Sequence, residues 1–210
     1  MLEKEIRGDV VIKYLLYLPD NYETSETDWP MILFLHGAGE RGANLKKVKL
    51  HGPPKRIEEG KKIPFIIVAP QCPSNQRWSV SNLDKLLGVI TENYRVDENR
   101  IYLTGLSMGG YGTWDLAMEY PNRFAAIAPI CGAGDTSRAH VLKDMPIWVF
   151  HGAKDDIVPL QKSQDMVDAL KTVGSDVKFT IYRTAGHDSW TRTYKSSALY
   201  KWFLEHSLNK

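Results

Sequence analysis

The segment Gly105-Leu106-Ser107-Met108-Gly109 follows the apolar run Ile101-Tyr102-Leu103 and leads into Gly112-Thr113-Trp114-Asp115-Leu116-Ala117-Met118, a helix-like stretch. A strand that turns sharply into a helix has little room at the turn. Only small residues fit two positions before and two after the residue at its apex. Here the apex is a serine. A serine hydroxyl is a weak nucleophile until a fold presents it and a base takes its proton. The same turn brings the Met108 N–H close to a helix N-terminus, where developing negative charge is stabilised. The pattern is strong because a strand precedes it and a helix follows.

Short, continuous apolar runs recur along the chain, as expected of parallel strands buried on both faces. They cover Trp29–Leu35, Ile63–Ala69, Arg100–Thr104, Phe124–Ile130, Met145–Phe150 and Val177–Tyr182. An earlier strand runs from Val10 to Leu18 and ends at the turn Pro19-Asp20-Asn21. Helical stripes lie between several of these runs: Leu83, Leu86, Leu87, Ile90 and Tyr94; Trp114, Leu116, Ala117 and Tyr120; Met166, Val167, Leu170 and Val173; and a C-terminal set at Ala198, Leu199, Trp202 and Phe203. Strands alternating with helices predict an α/β fold, a mostly parallel sheet with helices on both faces. No linker or repeat interrupts it, so residues 1–210 read as one domain. Residues 44–62 are the least regular and are expected to cross the surface as a loop.

Composition narrows the function. Lysine and arginine number 27 against 25 acids, a formal charge of +2, and basic residues never cluster beyond two in a row. Nucleic acid and anionic membrane surfaces are therefore not expected partners. No apolar run approaches the roughly 20 residues of a membrane span. The N-terminal residues Met1-Leu2-Glu3-Lys4-Glu5-Ile6-Arg7 lack the apolar core of a secretory signal, so the expectation is a cytoplasmic protein, although a leader already removed would leave no trace. Cys72 and Cys131 each follow a different strand and are expected to be free, partly buried thiols. No His/Cys/Asp/Glu spacing resembles a zinc site, and neither a metal nor a cofactor is expected.

Reactive groups in an open parallel sheet gather at the carboxyl ends of the strands. The loop after Met145–Phe150 carries His151-Gly152-Ala153-Lys154-Asp155-Asp156-Ile157-Val158-Pro159. The loop after Val177–Tyr182 carries Gly186-His187-Asp188 and Trp190. Ser107, Asp155 and His187 then follow in the order expected of a nucleophile elbow on such a sheet. His187 would take the Ser107 proton, and Asp155 would orient the imidazole, with Asp156 as the alternative acid. After Trp29–Leu35 comes His36-Gly37-Ala38-Gly39-Glu40-Arg41-Gly42. The N–H of Ala38, or else Gly39, would join that of Met108 in an oxyanion hole.

On His36–Gly42, Gly105–Gly109, Gly152–Pro159 and Gly186-His187, the chain resembles the serine α/β-hydrolases, in particular the small carboxylesterase/phospholipase-like and feruloyl-esterase-like group. Ala69-Pro70-Gln71-Cys72-Pro73, Trp78, Arg100-Ile101-Tyr102 and Phe124–Cys131 add to the likeness, which extends from Trp29 onward. The family's G-x-x-D-x-x-V-P pattern falls on Asp155. The resemblance implies an α/β-hydrolase fold and a serine esterase acting through an acyl-enzyme on a small-molecule or saccharide ester. A thioesterase, lysophospholipase or peptidase would use the same triad, and a non-catalytic binding protein could keep the same fold.

Other residues carry lesser expectations. Trp78 and Trp190 sit on loops where they could line the substrate pocket. His36 and His151 are expected to brace their loops, while His51, His140 and His206 are expected to be solvated. Glu40 and Arg41 are expected to play a structural part, pairing with one another, and Asp188 to be a turn residue. The interval Cys131–Asp144, where a lid is often inserted, is too short for a helical cap. An uncapped site with few apolar walls favours short acyl chains or bulky aromatic and saccharide esters.

Overall fold

The computed structural model describes residues 1–6 and 11–208. Val10, the first residue of the expected early strand, lies outside them. Among the described residues, eight strands form one sheet in the order β1-β2-β4-β3-β5-β6-β7-β8. Strands β3 (Trp29–Leu35), β4 (Ile66–Pro70), β5 (Val96–Leu106), β6 (Ala126–Ile130), β7 (Trp148–Gly152) and β8 (Lys178–Tyr182) are all parallel. They coincide with the six apolar runs, shifted by up to four residues at their ends. Two antiparallel strands, β1 (Leu2–Ile6) and β2 (Ile12–Tyr17), extend the sheet beyond β4. Strand β1 was not expected. It is an edge strand with four of its five residues exposed, so its sequence lacks the apolar character of a buried run.

The pleat of β3 divides the core in two. Met31, Leu33 and Leu35 point to one face and join Leu83 and Leu87 of α2 (Val80–Asn93), Trp114 of α3 (Met108–Glu119) and Met166 of α4 (Gln161–Thr172). Ile32 and Phe34 point to the other and meet Tyr194 of α5 (Trp190–Lys195) and Leu199 and Phe203 of α6 (Ser197–Leu204). Both faces are therefore covered by helices, and the chain has the α/β-hydrolase fold.

The irregular stretch 44–62 is more ordered than expected. It holds a 3₁₀ helix at Leu45–Leu50 and the α-helix α1 (Gly52–Glu58), whose prolines sit in the first turn, where a missing N–H costs nothing. Between β6 and β7, the segment Thr136–Leu142 forms a 3₁₀ helix that packs against α4 and α3. Among the described residues, the β6–β7 interval thus supplies no α-helical cap over the carboxyl ends of the strands. Cys72 and Cys131 are both buried and free, just past the ends of β4 and β6, which are separated in the sheet by β3 and β5.

Candidate active site

Ser107 lies between the end of β5 and the start of α3, at φ 51° and ψ −116°. A non-glycine residue in this region carries roughly 1–3 kcal/mol of strain. Its surroundings hold it there. The Ser107 N–H donates to the Ile130 carbonyl on β6 at 3.0 Å. A Cβ on Gly105 would come within 2.3 Å of the Gly109 carbonyl, and one on Gly109 within 2.0 Å of the Leu35 carbonyl. Both obstacles are backbone, which cannot rotate aside. Gly109→Ala should therefore lower the Tm by about 5 °C or more. An unchanged melting curve would show that the elbow is not packed this tightly.

The loops after β7 and β8 are stitched together beside the serine. Ala153 N–H donates to the Tyr182 carbonyl at 3.0 Å, and Lys154 N–H to that of Ala185 at 2.9 Å. The approach is so close that a Cβ on Gly152 would fall 2.1 Å from the Gly186 carbonyl. This brings together two of the expected residues. His187 Nδ1 sits 2.8 Å from Asp155 Oδ2 and 3.0 Å from Oδ1, while its Nε2 is 3.0 Å from Ser107 Oγ. The Asp155 side chain is fully buried and that of His187 is 20% exposed. Asp155 Oδ1 also accepts the N–H groups of Ile157 and Val158 at 3.0 and 2.9 Å. Burial pushes the Asp155 carboxyl up, but His187 and the two backbone N–H groups outweigh it and hold the acid below its ordinary range. Asp156 is exposed, and it is Asp155 that faces His187.

Beside Ser107 lies a cavity of about 300 Å³ lined by Ala38, Met108, Arg41, Arg77, Trp78, Tyr111, Gly112 and Asp115. Of the two residues expected to offer an oxyanion N–H from the loop after β3, Ala38 lines the cavity and Gly39 does not. His36 fixes that loop from beneath. Its Nδ1–H donates to the Gly37 carbonyl at 2.6 Å, and its Nε2 accepts the Cys72 N–H at 3.0 Å. Burial lowers its pKa to about 4, so the ring is neutral and can make one bond of each kind. The arrangement can withdraw a proton from Ser107 through His187, with Asp155 fixing the tautomer. A larger groove, about 600 Å³, lies at the opposite ends of β7 and β8 and offers no such set of groups.

Residues 69–202 match the model of the phospholipase/carboxylesterase family, a stretch that includes Ser107, Asp155 and His187. The chain belongs to that family. Among curated relatives, a bifunctional acetylxylan esterase/xylanase from Neocallimastix patriciarum is 26% identical over 154 residues, covering 70% of this chain and 22% of the relative. Feruloyl esterase D from Neurospora crassa is 24% identical over 173 residues, covering 74% and 57%. The chain thus spans about a fifth of the first relative and little more than half of the second. Among solved structures, a thermostable esterase superposes with a TM-score of 0.87 at 35% identity, over 98% of this chain and 63% of that one.

Other expectations for this carboxylesterase-family chain need adjustment. Trp78 lines the cavity and donates its indole N–H to the His36 carbonyl at 3.2 Å. Trp190 instead flanks the imidazole, edge to face with His187 at 5.1 Å between ring centroids. His51 is half-buried and partnered rather than freely solvated: its Nδ1 accepts the Trp190 indole N–H at 3.3 Å, and its Nε2 lies 3.6 Å from Glu40 Oε1. His206 is half-buried against Trp202, whereas His140 is exposed as expected. Glu40 and Arg41 face different partners. Glu40 is buried near His36 and His51, while Arg41 donates to the carbonyls of Ala38 and Gln76 at 2.9 and 3.2 Å. Asp188 is a turn residue, accepting the N–H and hydroxyl of Thr191.

Two features escaped the sequence reading. Tyr111 and Asp115 line the cavity because they follow Ser107 at intervals of four, on one side of α3, and that spacing is visible in the sequence. Cys131 lies against Asp155 and His187, its sulfur, an Asp155 oxygen and a His187 nitrogen all within 4.8 Å of one another. Burial pushes its thiol up to about 12, so it stands beside these residues as a neutral group.

Proposed function

We propose that this protein hydrolyses carboxylic esters through an acyl-enzyme on Ser107. The observation that carries the reading is the continuous hydrogen-bonded line from Ser107 Oγ through His187 to Asp155. Ser107 Oγ attacks the ester carbonyl as its proton passes to His187 Nε2, and Asp155 stabilises the resulting imidazolium. The tetrahedral oxyanion is held by the N–H groups of Ala38 and Met108. Its collapse expels the alcohol, which takes the proton from His187. A water molecule, deprotonated in turn by His187, then releases the acid and restores Ser107. This chemistry is complete without a cofactor.

The cavity argues for the class of ester. It is small, carries Arg41, Arg77, Tyr111 and Asp115, and has Trp78 and Met108 as its large apolar lining residues. A long alkyl chain would gain little there, since each CH₂ is worth about 0.8 kcal/mol only when it is buried. Short acyl groups and aromatic or saccharide esters fit better, in line with the acetylxylan and feruloyl esters that name the relatives. With p-nitrophenyl esters from acetate to palmitate, kcat/KM should peak at short chains, with no jump in rate at an oil–water interface. A profile rising to palmitate would reject the short-ester reading.

A further inference from the structure

A second imidazole lies behind the acid. His151, at the fourth position of β7, is completely buried, yet the proton transfers above make no use of it. Its Nε2 is 2.8 Å from the Val158 carbonyl and 3.2 Å from Asp155 Oδ2, and its Nδ1 is 2.7 Å from Ser163 Oγ on α4. The tautomer follows from these neighbours. Two acceptors face Nε2, so Nε2 carries the proton. Nδ1 of the neutral ring then accepts the single Ser163 hydroxyl proton at 2.7 Å, in preference to the Gly132 carbonyl 3.1 Å from the same oxygen. The ring is neutral, because burial lowers its pKa despite the help of the Val158 carbonyl and Asp155.

Nitrogen atoms thus approach both oxygens of Asp155. Oδ1 accepts the backbone N–H groups of Ile157 and Val158, and Oδ2 faces His187 Nδ1 at 2.8 Å and lies 3.2 Å from His151 Nε2, which also faces the Val158 carbonyl. We infer that His151 is a positioning residue for the acid, its Nε2–H sharing Oδ2 with His187 and limiting the negative charge that Asp155 turns toward that ring. The inference rests on the triad reading. It adds that the balance of charge within the triad is set from the side of the acid, by a residue that never meets substrate. The titratable groups facing this carboxylate are His151 and His187. The protonated Cys131 thiol stands beside them, and Asp188 acts on that thiol from further off.

Removing a donor from Oδ2 leaves more charge for His187, whose protonated form then persists to higher pH. His151→Leu should therefore move the acid limb of the kcat/KM profile upward by about half a pH unit, with the plateau largely retained. His151→Gln, whose amide N–H reaches the place of Nε2, should restore the wild-type limb. A merely structural role would lower the Tm of both variants without moving the limb. An unmoved limb in His151→Leu, or equal shifts in the two variants, would overturn the inference. Should His151→Leu not fold, ¹⁵N NMR of the wild-type histidines decides: His151 must be neutral with its proton on Nε2, and a proton on Nδ1 would refute the proposal. Ser107→Ala separates the two levels. If that variant retains activity, the triad reading itself fails; if it is inactive while the limb of His151→Leu stays put, only the role of His151 fails.

Discussion

Ser107→Ala should fold as the wild type does and lose at least about a thousandfold in kcat toward p-nitrophenyl acetate. The expected fold is unchanged because the elbow is held by backbone, through the Ser107 N–H on the Ile130 carbonyl and the close seating of Gly105 and Gly109. Alanine keeps all of these while removing only the hydroxyl. What remains is catalysis by binding and oxyanion stabilisation, with no covalent path. A fluorophosphonate probe should label the wild type on Ser107 and leave the variant unlabelled. Near-wild-type turnover by folded Ser107→Ala would place the nucleophile elsewhere.

The second large effect separates two adjacent acids. Asp155→Asn should reduce kcat by about 10³- to 10⁴-fold, whereas Asp156→Asn should stay within a few-fold of wild type. Only Asp155 meets His187 Nδ1, and an amide there offers an N–H that favours the wrong tautomer, with the proton on Nε2 facing the serine. The pH dependence runs the same way. A carboxylate whose pKa is held below its unfolded value adds stability above that unfolded value and loses it as the pH falls through the folded one. Asp155 is therefore ionised throughout the neutral range, and the variant should forfeit a pH-dependent part of its stability that Asp156→Asn keeps. Equal losses of turnover in the two variants would refute the assignment of the acid.

The parts of the fold that were legible in the sequence are those where local pattern and burial agree. Strand β3 is buried on both sides, so its sequence is continuously apolar and its limits coincide with those expected. Strand β1 is exposed along most of its length, and pairing with β2 holds it in the sheet where side-chain burial does not. The helix Gly52–Glu58 was hidden because proline marks a loop in most places and a first turn in this one. The site divides along the same line. Ser107, Asp155 and His187 each follow a strand, and the strand ends announce them. His51 meets Trp190 across 139 residues of sequence, and His151 meets Ser163 from strand to helix. Nothing near either histidine in the sequence marks those partnerships, which exist only once the sheet has brought distant loops together.

The hydrogen bond from Ser107 to His187 closes a loop of 80 residues that contains α3, β6, β7, α4 and β8. Local segments such as α3 can form early, but a contact of that span must await the ordering of most of the chain between its ends. Recovery of hydrolysis after dilution from denaturant is therefore a stricter clock than helix content: circular dichroism records the arrival of the pieces, and turnover records the moment when the last strand takes its place.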